Sequence, residues 1–308
     1  MLEESKMAKH FSGIMVPIMT PFDKKGVIDK SAYKKHLRFL LDAGIHGILV
    51  PSGTGEFANL TWEERALLIR LTAEIVKGKI PIIALVSDCS TKHVLQLCRL
   101  AKDSGADEVM LTPPYYSYVD QKALIKMFSF VADTVKLPLW LYHQPGETKL
   151  VLEPETVVKL SKHPNIVGIK IAAGEDFYYF CKIAHMLKNN KNFSLLMGED
   201  FATLPSYVMG GDGSVSSLAN VIPYDFVNLW NDYKKADYER AKIRQKYIMD
   251  CFDTLITVNT GSYQSACKTI LKERGYYTTN KVSSPFICIS ETEQKTVLAK
   301  AKKIGLLS

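Results

Sequence analysis

The chain has 308 residues, of which 47% are hydrophobic and 23% charged, and its net charge is +7. This is ordinary globular composition, in a chain long enough to bury a substantial core. The lysines are scattered, with no block of like charges and no basic run interleaved with aromatics. That argues against a nucleic-acid partner and leaves only a general attraction for small anions.

The six cysteines, Cys89, Cys98, Cys181, Cys251, Cys267 and Cys288, form no CxxC pair and are irregularly spaced. They read as reduced thiols in a cytoplasmic protein, and no Cys/His cluster has the spacing of a zinc site. The opening "MLEESKMAKHF" is polar and has no apolar h-region, so no signal peptide is expected. No apolar run approaches the ~18 residues of a membrane span, so no membrane partner is expected.

In chain order, short apolar runs alternate with amphipathic stretches. The first run is "GIMVPIM" from Gly13. "SAYKKHLRFLLDAG" follows, with Tyr33, Leu37, Leu40 and Leu41 on one helical face and a stop at Gly44. Next comes "GILV" from Gly47, then "TWEERALLIRLTAEIV", which opens with Thr61 and Glu64 in capping-box spacing. "PIIALV" from Pro81 and "EVMLT" from Glu108 are two further runs. "KALIKMFSFVADTV" places Leu124, Ile125, Phe128 and Val131 on one stripe. "LPLWLY" from Leu137, "NIVGIK" from Asn165, "FSLLM" from Phe193 and "GSVSS" from Gly213 bring the runs to eight. Most are apolar at consecutive positions, the pattern of parallel strands buried on both faces.

"DAGIHGILV", "DSGADEVML" and "MGGDGSVS" repeat one transition, from a helix end through glycine into a strand. Eight units of strand and helix predict a (β/α)8 TIM barrel. The rival, an open doubly wound sheet, often carries a glycine-rich phosphate loop after its first strand, and "MVPIMTPFDKKG" has none. Beyond about residue 222 no strand-like run recurs. "DFVNLWNDYKKADYERAKIRQKYIMDCF" and "SETEQKTVLAKAKKIG" read as helices. The expectation is a barrel over residues 1–235 and a C-terminal helical extension over 236–308, in one domain.

The active site of such a barrel lies at the carboxyl ends of its strands. The polar residues there are Thr20, Ser52, Gly53, Thr54, Glu56, Ser87, Asp88, Tyr115, Tyr116, Tyr142, His143, Gln144, Lys170, Glu199, Asp200, Ser216 and Ser217. HExxH, EF-hand, Walker A and GxSxG patterns are absent. Lys170 ends the apolar run "IVGIK". Its stem either snorkels to water, or burial lowers its pKa and leaves a neutral amine able to attack a ketone. Tyr142 ends the preceding strand and can meet Lys170 as a proton shuttle, or simply pack. "SGTGE" is either a plain strand-to-helix turn or one whose N–H groups hold a carboxylate.

"SGTGEF", "PPYY", "LYHQP" and "GIKIAAG", in that order, together with "GSVSSLANVIP", resemble the dihydrodipicolinate synthase / N-acetylneuraminate lyase family from about residue 12 to 222. The resemblance implies class I pyruvate chemistry with no metal and no cofactor beyond a lysine Schiff base. It implies Lys170 as the Schiff-base lysine, Tyr142 as the proton relay, and Tyr116 as a catalytic residue lent to a neighbouring subunit in a homotetramer. Gly53 and Thr54 would bind the 2-oxo-acid carboxylate, with the Val215 carbonyl near lysine and substrate. Two departures stand out. True dihydrodipicolinate synthases have Thr at the position of Gly53, and at Glu147 they have an Arg that grips the carboxylate of the aldehyde substrate. These departures resemble members acting on 2-keto-3-deoxy sugar acids, whose hydroxyls would suit His143, Glu147, Glu199 and Ser216. Lys149 stands where relatives often have Gly. The expected activity is reversible cleavage of such an acid to pyruvate and an aldehyde. A hydro-lyase, a dihydrodipicolinate synthase and a catalytically silent 2-oxo acid sensor are the alternatives.

Overall fold

The computed structural model describes residues 9–257 and 262–307. In order its elements are β1 (Gly13–Pro17), α1 (Lys30–Asp42), β2 (Gly47–Leu49), α2 (Trp62–Val76), β3 (Ile82–Leu85), α3 (Thr91–Asp103), β4 (Glu108–Leu111), α4 (Gln121–Thr134) and β5 (Leu139–His143). There follow α5 (Pro145–Thr148), α6 (Pro154–Leu160), β6 (Ile166–Ile171), α7 (Phe177–Met186), β7 (Ser194–Met197), α8 (Thr203–Val208), β8 (Gly213–Val215) and α9 (Pro223–Lys234). The chain ends in α10 (Tyr238–Leu255), α11 (Tyr263–Glu273) and α12 (Glu291–Lys303).

Each predicted run became a strand, and the eight strands close into one parallel barrel in sequence order. β1 pairs with β8 as well as β2, with Met15 opposite Val215. The strands are apolar throughout because both faces are covered. Leu139, Leu141, Ile169 and Ile171 point to the helical ring, while Trp140, Tyr142, Leu49, Met110, Leu196 and Val215 pack inside the barrel. The helix boundaries follow local chemistry. Thr61 and Glu64 form the predicted capping box of α2. After α1, Gly44 takes φ +80°, which releases the chain into β2.

The barrel interior is a packed floor. Trp140 is fully buried, bonds through its indole N–H to Glu108, and takes the edge of Phe11 at 6.3 Å. Gly168 on β6 makes room for that indole, since a β-carbon there would lie 2.3 Å from Trp140 Cζ3 and 2.6 Å from the Ser194 carbonyl oxygen. Polar side chains above this floor therefore face a cavity with a solid base.

The C-terminal helices pack back on the barrel, and the same apolar core includes Ile248, Cys251, Ile270 and Leu271. α11 returns over the carboxyl ends of the first strands. Among the described residues no helix is long and apolar enough to cross a membrane. Gly168→Ala should lose about 1–3 kcal/mol of stability through overpacking against Trp140. Urea unfolding followed by tryptophan fluorescence measures it.

Candidate active site

A cavity of about 660 Å³ opens at the carboxyl ends of the strands, lined by Gly53, Thr54, Tyr142, Lys170, Glu199 and Ser217 among others. Tyr142 on β5 and Lys170 on β6 are partners in the sheet register, so their side chains rise side by side into it. The lysine Nζ donates to the Tyr142 hydroxyl at 2.9 Å. Lys170 is only 6% exposed. Burial lowers its pKa to about 8, against the opposing pull of the Glu199 and Asp200 carboxylates. Burial, helped by the nearby Glu199 and Glu147 carboxylates, also raises Tyr142 well above an ordinary phenol, so the hydroxyl is protonated at rest. Gly198 gives the lysine stem its space. A β-carbon there would sit 2.9 Å from Lys170 Cε and 2.9 Å from the Ile171 carbonyl oxygen. The pair joins an amine that gives up its proton more readily than an ordinary lysine to a proton donor.

The turn after β2 is built to leave donors open. Ser52 Oγ accepts from Gly55 N–H at 3.0 Å, and the Gly53 carbonyl accepts from Glu56 N–H at 3.0 Å. Among the described residues the N–H groups of Gly53 and Thr54 have no acceptor. Thr54 Oγ1 lies 2.8 Å from Ser217 Oγ and accepts from the Tyr263 hydroxyl at 3.1 Å. Glu56, with φ +64°, is buried and pairs with Lys268 of α11, which is 0% exposed. Ser283 N–H donates to the other oxygen of Glu56 at 2.6 Å.

The carboxylates are spread around the cavity. Glu199 faces it and accepts from Gly174 N–H at 3.0 Å. Asp200 is buried, accepts from Leu218 N–H at 3.0 Å through Oδ2, and leaves Oδ1 without a partner. Burial raises its pKa to about 7. Glu147 stands on α5 at the rim. Lys149 takes φ +58° as the C-cap of α5, a left-handed position that glycine occupies without strain, which explains the preference for glycine there. Among the described residues no group of three or more His, Cys, Asp or Glu is placed to hold a metal ion.

The structure brings Lys170, Tyr142, Gly53, Thr54, Glu147 and Glu199 together. His143 is not among them. It follows two inward residues of alternating β5 by one position, so its ring faces the helices, where it stacks on Tyr179 at 4.0 Å and accepts from Leu152 N–H at 3.3 Å. Burial there lowers its pKa to about 4. Ser216 also faces outward, donating to Ser214 Oγ at 2.9 Å, and its neighbour Ser217 takes the place in the cavity. The Val215 side chain belongs to the interior layer and does not line the cavity. Tyr116 is 89% exposed and lies outside this chain's cavity, while Tyr115 lines it. Asp200 and Ser217 stood among the strand-end polar residues without a role. Tyr263 was missed altogether. The one local signal for it was Ser262 as an N-cap before "YQSACKTILKE", and that signal does not show where the helix docks.

The model of the dihydrodipicolinate synthetase family matches residues 10–304. The 4-hydroxy-tetrahydrodipicolinate synthase of Thermodesulfovibrio yellowstonii is 32% identical over 302 residues, covering 96% of this chain and 99% of the relative. The enzyme of the same name from Methanoculleus marisnigri is 37% identical over 237 residues, covering 76% and 80%. Among solved structures, dihydrodipicolinate synthase from Bacteroides thetaiotaomicron superposes with TM-score 0.90 at 30% identity, covering 96% of this chain and 99% of the other. The Acinetobacter baumannii synthase complexed with pyruvate gives 0.89 at 29%, covering 96% and 99%. A prophage protein of the same family from E. coli, in complex with pyruvate, gives 0.90 at 25%, covering 97% and 100%. These matches do not support a closer kinship to the 2-keto-3-deoxy sugar acid members.

The Glu56–Lys268 pair fixes the turn that carries Gly53 and Thr54, and its burial makes it costly to break on one side. Lys268→Met should lose about 3–5 kcal/mol by stranding a buried carboxylate. Adding Glu56→Gln should return part of that loss in denaturant titrations.

Proposed function

The chain belongs to the dihydrodipicolinate synthetase family of carbon–carbon lyases, and from that membership and the chemistry of its cavity we propose that it is a Schiff-base aldolase working through pyruvate. The observation that carries this is the buried contact of Lys170 Nζ with the Tyr142 hydroxyl at 2.9 Å.

Neutral Lys170 attacks the C2 ketone of the substrate. Tyr142 supplies the proton with which the carbinolamine hydroxyl leaves as water, giving the iminium and a phenolate. The phenolate then takes the proton of the C4 hydroxyl as the C3–C4 bond breaks. The electron pair of that bond moves into the iminium to form an enamine, and the C4 carbon leaves as an aldehyde. Tyr142 protonates C3, and water hydrolyses the iminium, returning pyruvate, the free amine and the phenol proton. The carboxylate of the 2-oxo acid fits the open N–H groups of Gly53 and Thr54.

For the second substrate we favour the uncharged, hydroxylated aldehyde derived from a 2-keto-3-deoxy sugar acid. Lys170 is the one cationic side chain among the described residues lining the cavity, which Glu147, Glu199 and Asp200 also line. An aldehyde bearing its own carboxylate would meet no cation there besides the Lys170 nitrogen already committed to the first substrate. The names of the relatives favour the second reading, synthesis of 4-hydroxy-tetrahydrodipicolinate, whose aldehyde substrate would carry its own carboxylate. Initial rates of pyruvate consumption with aspartate semialdehyde and with neutral hydroxyaldehydes separate the two. Faster turnover of the semialdehyde would reverse our preference. Scoring pyruvate release against water elimination on sugar acids separates the aldolase from the hydro-lyase. Tyr116, exposed on its loop, fits a role in a second copy's cavity, with a tetramer expected in sedimentation.

Borohydride with pyruvate should leave a reduced adduct on Lys170, mapped by mass spectrometry and lost in Lys170→Ala. An unmodified wild-type lysine would sink the proposal. Because Lys170 has a pKa of about 8, the rate of adduct formation should rise with pH through that value and level off above it. Tyr142→Phe should keep pyruvate binding and lose roughly 10²–10⁴ in kcat.

A further inference from the structure

The binding turn is not completed by barrel residues alone. α11 begins at Tyr263, behind the N-cap Ser262, whose backbone N–H is tied to the Ile287 carbonyl at 2.9 Å. From this first turn the Tyr263 hydroxyl reaches Thr54 Oγ1 at 3.1 Å, and Thr54 in turn lies 2.8 Å from Ser217 Oγ. All three residues line the cavity that holds Lys170.

Three hydroxyls own three protons. The Tyr263–Thr54 and Thr54–Ser217 hydrogen bonds use two of them, and Tyr263 also reaches Ser217, so an oxyanion would draw the third proton away from this ring of hydroxyls. Beside it stand the N–H groups of Gly53 and Thr54, which have no acceptor among the described residues. Donors grouped in this way, with the nearest carboxylate of the turn, Glu56, already engaged by Lys268 and Ser283, suit an oxyanion. Tyr263 is held rigidly enough to matter. Lys268, one and a half turns further along α11, is locked onto Glu56 of the same turn. Burial raises the Tyr263 phenol, which keeps it a donor.

We infer that α11 is part of the site for the substrate's carboxylate, with Tyr263 the positioning residue that fixes the Thr54 and Ser217 hydroxyls as donors to it. The inference rests on the Schiff-base reading above. It makes the C-terminal extension a determinant of which 2-oxo acids enter, and it gives Tyr263 no part in breaking the carbon–carbon bond.

The test titrates the borohydride-trapped adduct on Lys170 with two ketones, pyruvate and its uncharged methyl ester, in wild type and Tyr263→Phe. The phenylalanine keeps the ring and removes the hydroxyl. The half-saturating concentration of pyruvate should rise about tenfold, while that of methyl pyruvate stays within twofold and the maximal extent of labelling is unchanged. Ser217→Ala, at the other end of the hydroxyl trio, should give the same selective loss and serves if the first variant does not fold. Equal weakening of both ketones would mark a packing role and overturn the inference, as would no change in either. A normal wild-type adduct in those cases leaves the Schiff-base reading standing. Absence of any wild-type adduct sinks that reading, and this inference with it.

Discussion

The structure turns on the cost of keeping a charged amine out of water. Among the described residues two lysines are buried, and their environments meet that cost differently. Lys268 is given a carboxylate, Glu56, which opposes the lowering of its pKa by burial, and the Lys281 carbonyl at 2.8 Å, and so acts as a clamp. Lys170 is given a phenol that is itself pushed toward protonation. A neutral hydroxyl cannot balance an ammonium, so the lysine relieves its desolvation by giving up a proton more readily. Both pairs span two elements, yet one stabilises the fold and the other has the reactivity of a nucleophile.

The barrel makes this possible by separating floor from site. Trp140 and the inward apolar layer fill the interior up to Tyr142 and Lys170. Parallel register then sets the two reactive side chains abreast without any loop having to order them. Two glycines carry the geometric burden. Gly168 admits the indole below, and Gly198 admits the lysine stem above. The turn after β2, the rim at α5 and the returning helix α11 supply the rest of the cavity wall.

The strands were legible because each is short, apolar at consecutive positions and bounded by turn residues, the signature that covering both faces imposes. Lys170 and Tyr142 were legible because an apolar lead-in makes a terminal polar residue conspicuous. His143 and Ser216 misled because nearness to a strand end was read without its direction. The alternation that sends Trp140 and Tyr142 inward sends His143 outward, and β8 does the same to Ser216 one position past Val215. Tyr263 lay beyond any local pattern. It comes from a helix remote in sequence from the turn it touches, and the partners that place it, Thr54 and the Glu56–Lys268 pair, are visible only once the chain is folded.

The distribution of charge around the cavity bears on what the second substrate can be. Before reaction Lys170 still carries charge below its pKa of about 8, but Schiff-base formation commits that one nitrogen to the 2-oxo acid. Once the iminium forms, the nitrogen is positive whatever the pH, and that charge is the one Glu199 and Asp200 are set to stabilise. Asp200, with a pKa raised to about 7 and one oxygen unpartnered, can serve a hydroxyl as acceptor or, protonated, as donor. A polyol-derived aldehyde offers such hydroxyls. A second carboxylate would instead compete for the same cationic centre against fixed acids on the wall and at the rim. On the proposed reading, the acids that oppose deprotonation of Lys170 and favour its charged iminium also work against a second anion in the same cavity.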